Sequence, residues 1–295
     1  MLTAIIAVTM TVPDLAPVER AYADYLGYRV VGRGRLAAGL AESWGTPALA
    51  GRDFLLMQPE SGAPAYLRLI RQDAVEGFAA MRTHGWNSNE ILVEDTHAVH
   101  ERLKDSPFRI IGEPKGLSMN PEIIAMQALG PADELVYLTR IPAGKSLFNL
   151  GSAQSFVDRT FIVVLGGPDM EAMRRFYADR LAMPVTAAMD SKISVLAKAW
   201  DLPVGHDFRL AIVQFPENFL IELDEYPSAA TPRPQRPGEL PPGMSMVSFS
   251  VKSLDALELE FLAQPRRIEA APYDGRRTAL MRGAAGEYIE LIEER

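Results

Sequence analysis

One motif occurs twice in this sequence, half a chain apart. Val12-Pro13-Asp14-Leu15 precedes Ala21-Tyr22-Ala23-Asp24-Tyr25-Leu26-Gly27, and Gly167-Pro168-Asp169-Met170 precedes Phe176-Tyr177-Ala178-Asp179-Arg180-Leu181-Ala182. The two copies are 155 positions apart in a chain of 295 residues. A repeat of this kind predicts two similar halves, with cavities where repeated units face each other.

Further matches extend the repeat along both halves. Leu67-Arg68-Leu69 corresponds to Ile221-Glu222-Leu223, and the segment 130–138 corresponds to 283–291. Each half divides again into two units, in which an apolar strand and a helix precede about three short strands. The fourth helix is predicted over about Leu254 to Ala263. The pattern predicts an α+β chain of four βαβββ modules in two tandem domains, 1–143 and 157–295, each forming its own curved sheet of about eight strands with helices outside.

Composition narrows the class of protein. The chain is 48% hydrophobic with a net charge of −8, and its basic residues form no stripe, so no nucleic-acid partner is expected. It has no cysteine, which excludes disulfides and thiolate chemistry. No apolar stretch approaches the roughly 18 residues of a membrane span, and the apolar start reads as a strand and not as a signal peptide. We expect a cytoplasmic protein without a membrane partner.

Two connectors stand out between the modules. Residues 141–157 contain Pro142, Gly144 and Gly151 and are predicted to link the halves. Residues 227–243 contain six prolines, which excludes regular structure and predicts a stiff loop between the third and fourth modules. A plain connector is the favoured interpretation, and a lid over a cavity is the alternative.

The repeated motifs carry a family resemblance. Pro13-Asp14-Leu15 with Tyr22-Ala23-Asp24-Tyr25-Leu26-Gly27, their second copies, and Glu287-Tyr288-Ile289-Glu290-Leu291 resemble the vicinal oxygen chelate superfamily of glyoxalase I, bleomycin-resistance proteins and type I extradiol dioxygenases. The resemblance covers essentially the whole chain. It implies paired βαβββ modules that form cups, but it does not specify a reaction, because one fold serves many chemistries.

The resemblance also implies where a metal would bind. Metal-using members carry His or Gln on first strands and Glu on last strands. The corresponding first-strand residues here are Ala7, Ser88, Ile162 and Met246, and the last-strand residues are Arg68, Tyr137, Glu222 and Glu290. Only the two glutamates match, so we expect no tightly held metal, although they remain candidates for a weakly bound divalent ion. The favoured interpretation is that the Glu290 side chain is exposed to water near the charged C-terminus.

The remaining polar residues suggest a site in the first half. Alternation along the strands would bring Thr9, Arg68, Glu90 and Tyr137 into one cup, close to the segment 84–88. Glu90 is the candidate general base, with Tyr137 and Arg68 as catalytic partners that stabilise an oxyanion. The candidate substrate-binding residues are Thr9, His84, Trp86, Asn87 and Ser88. A structural Glu90–Arg68 ion pair is the competing and favoured interpretation.

Three functions follow from these expectations. The first is an enzyme, a lyase or isomerase before a dioxygenase, that acts on a small carbonyl or aromatic molecule by acid–base chemistry without a cofactor. The second is a protein that binds and sequesters a small molecule. The third is a metal-dependent dioxygenase or glyoxalase-like enzyme with unusual ligands. A homodimer is left open.

Overall fold

The four predicted modules are present in the computed structural model, which describes residues 1–118, 120–145 and 148–295. The linker residues 146 and 147 lie outside the described residues. Each module opens with one long strand. These first strands are β1 Leu2–Val12, β5 Gly85–Val93, β9 Val157–Gly167 and β13 Gly243–Val251.

Three shorter strands complete each module. In the first half they are β2 Arg29–Arg35, β3 Asp53–Gln58, β4 Tyr66–Arg71, β6 Arg109–Gly116, β7 Ile124–Leu129 and β8 Leu135–Arg140. In the second half they are β10 Met189–Ser191, β11 Phe208–Gln214, β12 Leu220–Glu225, β14 Arg266–Ile268, β15 Arg276–Arg282 and β16 Tyr288–Glu293.

A capping aspartate begins the helix of three modules. The helices are α1 Leu15–Leu26, α3 Thr96–Leu103 and α4 Met170–Arg175, the last continued by one π turn. The side chains of Asp14, Asp95 and Asp169 each accept a hydrogen bond from a first-turn amide, which satisfies an otherwise free backbone donor. The fourth predicted helix is wrong, because residues 254–263 form turns and irregular chain whose leucines pack on the core without helical hydrogen bonds.

The strands form two eight-stranded sheets. One has the order β14-β15-β16-β13-β1-β4-β3-β2 and contains the first and fourth modules; we call its concave side the terminal cup. The other has the order β10-β11-β12-β9-β5-β8-β7-β6 and contains the second and third modules; its concave side is the central cup. The fold class is confirmed.

The pairing of modules differs from the prediction. The antiparallel pairs β1–β13 and β5–β9 join modules of different halves, so residues 1–143 and 157–295 do not each close their own sheet. Sequence similarity between modules could not reveal this, because backbone hydrogen bonds between strand edges are largely independent of side-chain identity. Short helices cover the cups: α2 Ala38–Ser43 lies over the terminal cup, and α5 Ser194–Ala199 lies over the central cup.

The convex faces of both sheets share one core with the long helices. The Trp86 and Phe249 rings meet there at 5.9 Å, and Trp86 Nε1 donates to the Tyr288 carbonyl across the sheets. No helix among the described residues is long and apolar enough to cross a membrane.

Consecutive modules of one half are joined through a buried tyrosine and glutamate. The Tyr177 hydroxyl donates to Glu287 Oε1 at 3.0 Å, and Glu287 Oε2 accepts from the Ala285 amide. The repeat places Tyr22 near Glu134 in the first half, where burial and that carboxylate raise the pKa of Tyr22, but the Tyr22 hydroxyl has no hydrogen-bond partner among the described residues. The Tyr177–Glu287 contact joins the two modules of the second half although they belong to different sheets.

We predict that Tyr177→Phe lowers the free energy of unfolding by about 1 to 3 kcal/mol, because Glu287 then remains buried with one oxygen unpaired. Urea titration of both proteins measures the change. Tyr25→Phe is the matched control, since its hydroxyl makes only an exposed contact and should change stability by less than about 0.5 kcal/mol. Equal losses in both variants would contradict the structural role of the buried contact.

Candidate functional site

An ion pair occupies the floor of the terminal cup. Arg68 Nη2 lies 2.9 Å from Glu290 Oε2, and the two side chains are 2% and 0% exposed. Thr9 is the backbone partner of Arg68, and Ser248 is the backbone partner of Glu290, so the four residues come together from the four inner strands of this sheet. The expected solvation of Glu290 is wrong, since the side chain points into the cup and not to the surface.

Hydrogen bonds satisfy almost every polar atom around this pair. Arg68 donates to Thr9 Oγ1, to the Tyr273 hydroxyl and to Ser248 Oγ, and Glu290 accepts from Trp44, Tyr273, Ser248, Thr278 and Arg68. Burial alone would raise the pKa of Glu290, but the Arg68 charge and these donors outweigh burial and lower it. The Trp44 ring lies under the guanidinium at 4.6 Å. The terminal cup is therefore a closed polar core and leaves no side chain free to receive a ligand.

The predicted catalytic residues Glu90 and Tyr137 lie in the central cup. Glu90 on β5 is paired across the sheet with Tyr137 on β8, and Thr139 Oγ1 donates to Glu90 Oε1 at 2.6 Å. Glu90 and Tyr137 thus share a site, but Arg68 and Thr9 do not belong to it. The expected four-residue set and the Glu90–Arg68 ion pair are both wrong, because these residues lie in different sheets.

Alternate residues of β12 add two more carboxylates to this floor. Glu222 and Asp224 point to the concave face, and Tyr226 follows them after the strand end. The Tyr226 ring packs against Gly166, where any side chain would collide with it. The sequence analysis missed Asp224, Tyr226 and Thr139. The spacing Glu222-x-Asp224-x-Tyr226 was the available signal, since every second residue of a strand shares a face.

Burial dominates the electrostatics of the central cup. Desolvation raises the pKa of Glu90 to about 7, against the lowering effect of the Thr139 hydrogen bond. Burial likewise raises the pKa of Asp224 to about 7, and burial with the Asp224 and Glu90 charges raises the pKa of Glu222 well above its usual value. No ion pair in the described part of the chain includes any of these carboxylates. Glu90 and Asp224 therefore gain and lose protons near neutral pH.

Several buried polar atoms in this cup have no hydrogen-bond partner. Ser88 Oγ, Asp224 Oδ1 and the Tyr226 hydroxyl are unpaired, and their residues are 0%, 2% and 3% exposed. Native proteins rarely leave such atoms unpaired without a bound molecule or a functional reason. The Arg68–Glu290 pair in the terminal cup offers a contrast, because the polar atoms of these two side chains are hydrogen-bonded.

Apolar walls surround the acidic floor. Two clusters of buried residues line it, one around Ile162, Val164 and Ile212 and the other around Leu135 and α5. Glu222 keeps partial exposure, so solvent reaches the floor from the side of β12. A few polar groups at the base of an apolar concave surface are typical of a small-molecule site.

The remaining predicted binding residues lie outside the cup. Trp86 faces the convex core, where its ring and indole nitrogen are both occupied, and Asn87 Oδ1 accepts from the Met81 amide. His84 is partly exposed beside Arg233, and burial and that cation lower its pKa. Of the predicted binding residues, only Ser88 lies on the same face as Glu90.

The residues do not fit a resident metal in either cup. In the terminal cup the Arg68 guanidinium occupies the position where a cation would bind. In the central cup apolar Ile162 is the cross-strand neighbour of Glu90 and apolar Val164 that of Glu222. No set of three or more His, Asp or Glu residues in the described chain is arranged around one point for an ion.

Surface grooves offer no competing site. One groove of about 610 Å³ follows the irregular segment 254–265, and another lies between Phe176 and Arg282. Both are open to solvent and neither contains a buried carboxylate without a partner.

Comparison with solved structures supports the assignment of the fold. Two structures of glyoxalase I from Zea mays, one of them a single-residue variant, match with TM-scores of 0.63 and 0.66 at 14% identity, over 98% of this chain and 92% and 93% of theirs. A candidate dioxygenase from Bacillus subtilis matches with a TM-score of 0.60 at 12% identity, over 99% of this chain and 85% of that one. No family model and no curated protein sequence matches. The chain is built from paired βαβββ modules, and its fold is similar to that of these glyoxalase I and dioxygenase structures.

Proposed function

We propose that the protein is an enzyme that acts on a small carbonyl or aromatic molecule by acid–base chemistry in the central cup, without a tightly held metal. The observation that supports this function most is the group of carboxylates Glu90, Glu222 and Asp224, two of them buried, which form no ion pair among the described residues, whereas the terminal cup holds a satisfied ion pair. A structural role would be better served by pairing, as Arg68 and Glu290 demonstrate.

Glu90 is the proposed general base. A pKa of about 7 leaves a substantial fraction of its carboxylate ionised at neutral pH and makes the group a stronger base than an exposed glutamate. Thr139 fixes one oxygen of the carboxylate, so the other is directed to the substrate. In the reaction, this oxygen takes a proton from the carbon next to a carbonyl, and the C–H electron pair forms an enolate.

Tyr137 is the proposed donor to the enolate oxygen. Burial and the Asp224 and Glu222 charges raise its pKa well above 10, so the hydroxyl keeps its proton at neutral pH. In a β,γ-unsaturated carbonyl compound, return of the proton from Glu90 to the γ-carbon of the dienolate completes an isomerisation. In a compound with a leaving group on the β-carbon, departure of that group with its bonding electron pair as the carbonyl reforms completes an elimination, and the proton on Glu90 passes to the leaving group. Both outcomes balance without an oxidant.

Proton exchange tests the function without a known substrate. A panel of small carbonyl compounds is incubated with the protein in D₂O, and loss of the C–H signal is followed by ¹H NMR. We predict catalysed exchange in at least one compound class, and a decrease of about 10²-fold or more in Glu90→Gln. Glu94→Gln is the matched control, since Glu94 is an exposed glutamate near the end of the same strand.

Two results would count against this function. Equal exchange rates in wild type and Glu90→Gln would remove Glu90 as the base. Tight binding of panel members without any exchange would favour the alternative of a sequestering protein, for which the apolar walls of the cup are the supporting observation.

A further inference from the structure

We propose that the central cup selects a cationic ligand: a small amine with an apolar body, whose ammonium group lies against Glu222 and Asp224. This inference shares its site with the proposed function and specifies the class of molecule that enters. Its first support is charge. The floor holds Glu90, Glu222 and Asp224, and none of them is paired with a lysine or arginine in the described residues.

The Arg233 guanidinium does not pair with these carboxylates, because its hydrogen bonds go to other groups. Arg233 donates to the carbonyl groups of Trp86 and Met244 and to Thr83 Oγ1, where it joins the starts of β5 and β13. His84 faces Arg233 and has a lowered pKa through burial and that cation, so it supplies no positive charge at neutral pH. Lys198 on α5 is exposed. The carboxylates must therefore stay protonated or receive a cation from outside.

The second support is the set of unpaired atoms. Asp224 Oδ1 is an acceptor without a donor and the Ser88 hydroxyl is unpaired, in residues at least nine-tenths buried. An ammonium group carries three donors, which can pair with the carboxylate oxygens and hydroxyl groups of this floor. A carboxylate ligand would oppose ionisation of the acids, whereas an ammonium group compensates their charge.

The rings and walls complete the match. The phenol rings of Tyr137 and Tyr226 belong to the apolar cluster next to the acids, and aromatic rings attract cations that approach their faces. Ile162, Val164 and Ile212 provide apolar surface for the rest of the molecule. The site thus combines negative charge at its base with apolar walls, which describes the shape and polarity of an arylalkyl or alkyl amine.

Calorimetric titration of the wild-type chain with benzylamine, benzyl alcohol and benzoate tests this inference. The three probes share a ring and differ in charge. We expect benzylamine to bind more tightly than benzyl alcohol by on the order of tenfold, because charged hydrogen bonds replace neutral ones, and benzoate to bind least. Glu222→Gln should abolish the preference for the amine, and Asp224→Asn provides a second variant if the first does not fold.

Proton release gives an independent measurement. At pH 6 the acids of the free cup hold protons, and a bound ammonium group favours their ionised form, so benzylamine binding should release protons into the buffer. Titrations in buffers of different ionisation enthalpy measure the number. Glu217→Gln, an exposed change in the turn before β12, is the control and should keep wild-type affinity and proton release.

Several outcomes would overturn the cationic class. They are equal or tighter binding of benzyl alcohol or benzoate, amine binding without proton release, and displacement of benzylamine by Mg²⁺, Ca²⁺ or Mn²⁺. Amine binding with no Glu90-dependent exchange would refute the proposed enzyme and leave the ligand class standing. Glu90-dependent proton exchange without a preference for the amine would refute the cationic ligand class and leave the proposed enzyme standing.

Discussion

Arg68→Met is expected to lower the free energy of unfolding by about 3 to 5 kcal/mol, the largest effect that we predict for a single substitution. The change removes the only cation beside Glu290 and leaves a carboxylate with 0% exposure inside the terminal cup. Breaking a buried ion pair from one side costs this much because the remaining charge has neither water nor a partner. Chemical denaturation at pH 7 measures the loss.

Two further variants separate charge from packing. Arg68→Met with Glu290→Gln should recover at least half of the lost stability, since the amide oxygen still accepts from Trp44 and Tyr273 while the unpaired charge is gone. Arg29→Met breaks an exposed ion pair with Glu60 on the same sheet and should cost less than about 1 kcal/mol. If the double variant is no more stable than Arg68→Met alone, the unpaired charge is not the cause.

The same substitution also tests the separation of the two cups. Arg68 was predicted to act beside Glu90, yet it lies in the other sheet. A folded Arg68→Met protein should therefore retain the proton exchange that depends on Glu90. Loss of exchange in a protein that remains folded would restore Arg68 to the catalytic set.

The sequence was sufficient to predict the modules because their signals are local. Alternating apolar strands, an aspartate cap and a Gly27 in the left-handed conformation at the end of α1 (φ 70°) are each encoded within a few residues. The repeat made these patterns easier to recognise, because similar patterns recur in successive modules. The failed helix at 254–263 shows the limit, because its helical spacing of apolar residues was overridden by tertiary packing.

The site was harder to predict because it depends on long-range pairing. Glu90 and Tyr137 were placed together correctly, since both belong to the second module and their strands are adjacent. Glu222 lies more than 100 positions away and reaches the same cup only because β5 pairs with β9. No property of either strand specifies that partner, so the acidic set could not be assembled before the sheet order was known.

The last strands of the two cups carry polar residues at equivalent positions, but the residues form an ion pair in one cup and not in the other. Arg68 and Glu290 at the last strands of the terminal cup neutralise each other, whereas Tyr137 and Glu222 at the equivalent strands of the central cup do not. The first arrangement contributes a fixed core between modules one and four. The second retains ionisable groups at a cost in stability, which proteins usually accept at functional sites.

This cost gives the central cup a measurable pH dependence. Glu90 has a pKa of about 7 in the folded protein, raised by burial from 4.5, so the unfolded chain releases this proton first as pH rises. Between these two values the folded state binds more protons than the unfolded state, and stability therefore falls as pH increases. Glu90 alone accounts for about 3 kcal/mol of this decline, which ends once the folded state is also ionised. Asp224, Glu134 and Glu287 act in the same direction.

Glu90→Gln should leave stability nearly unchanged at acidic pH and increase it at basic pH. Glutamine resembles the protonated glutamic acid and still accepts the Thr139 hydrogen bond, so at pH 5 the variant should match wild type within about 1 kcal/mol. At pH 8 wild type carries a buried charge that the variant lacks, and the variant should be more stable by about 3 kcal/mol. Urea titrations of both proteins from pH 5 to 8, with Glu94→Gln as the control, measure the difference. A variant that is less stable than wild type at pH 8 would show that an unrecognised cation pairs with Glu90, and the acid–base role proposed for this residue would lose its physical basis.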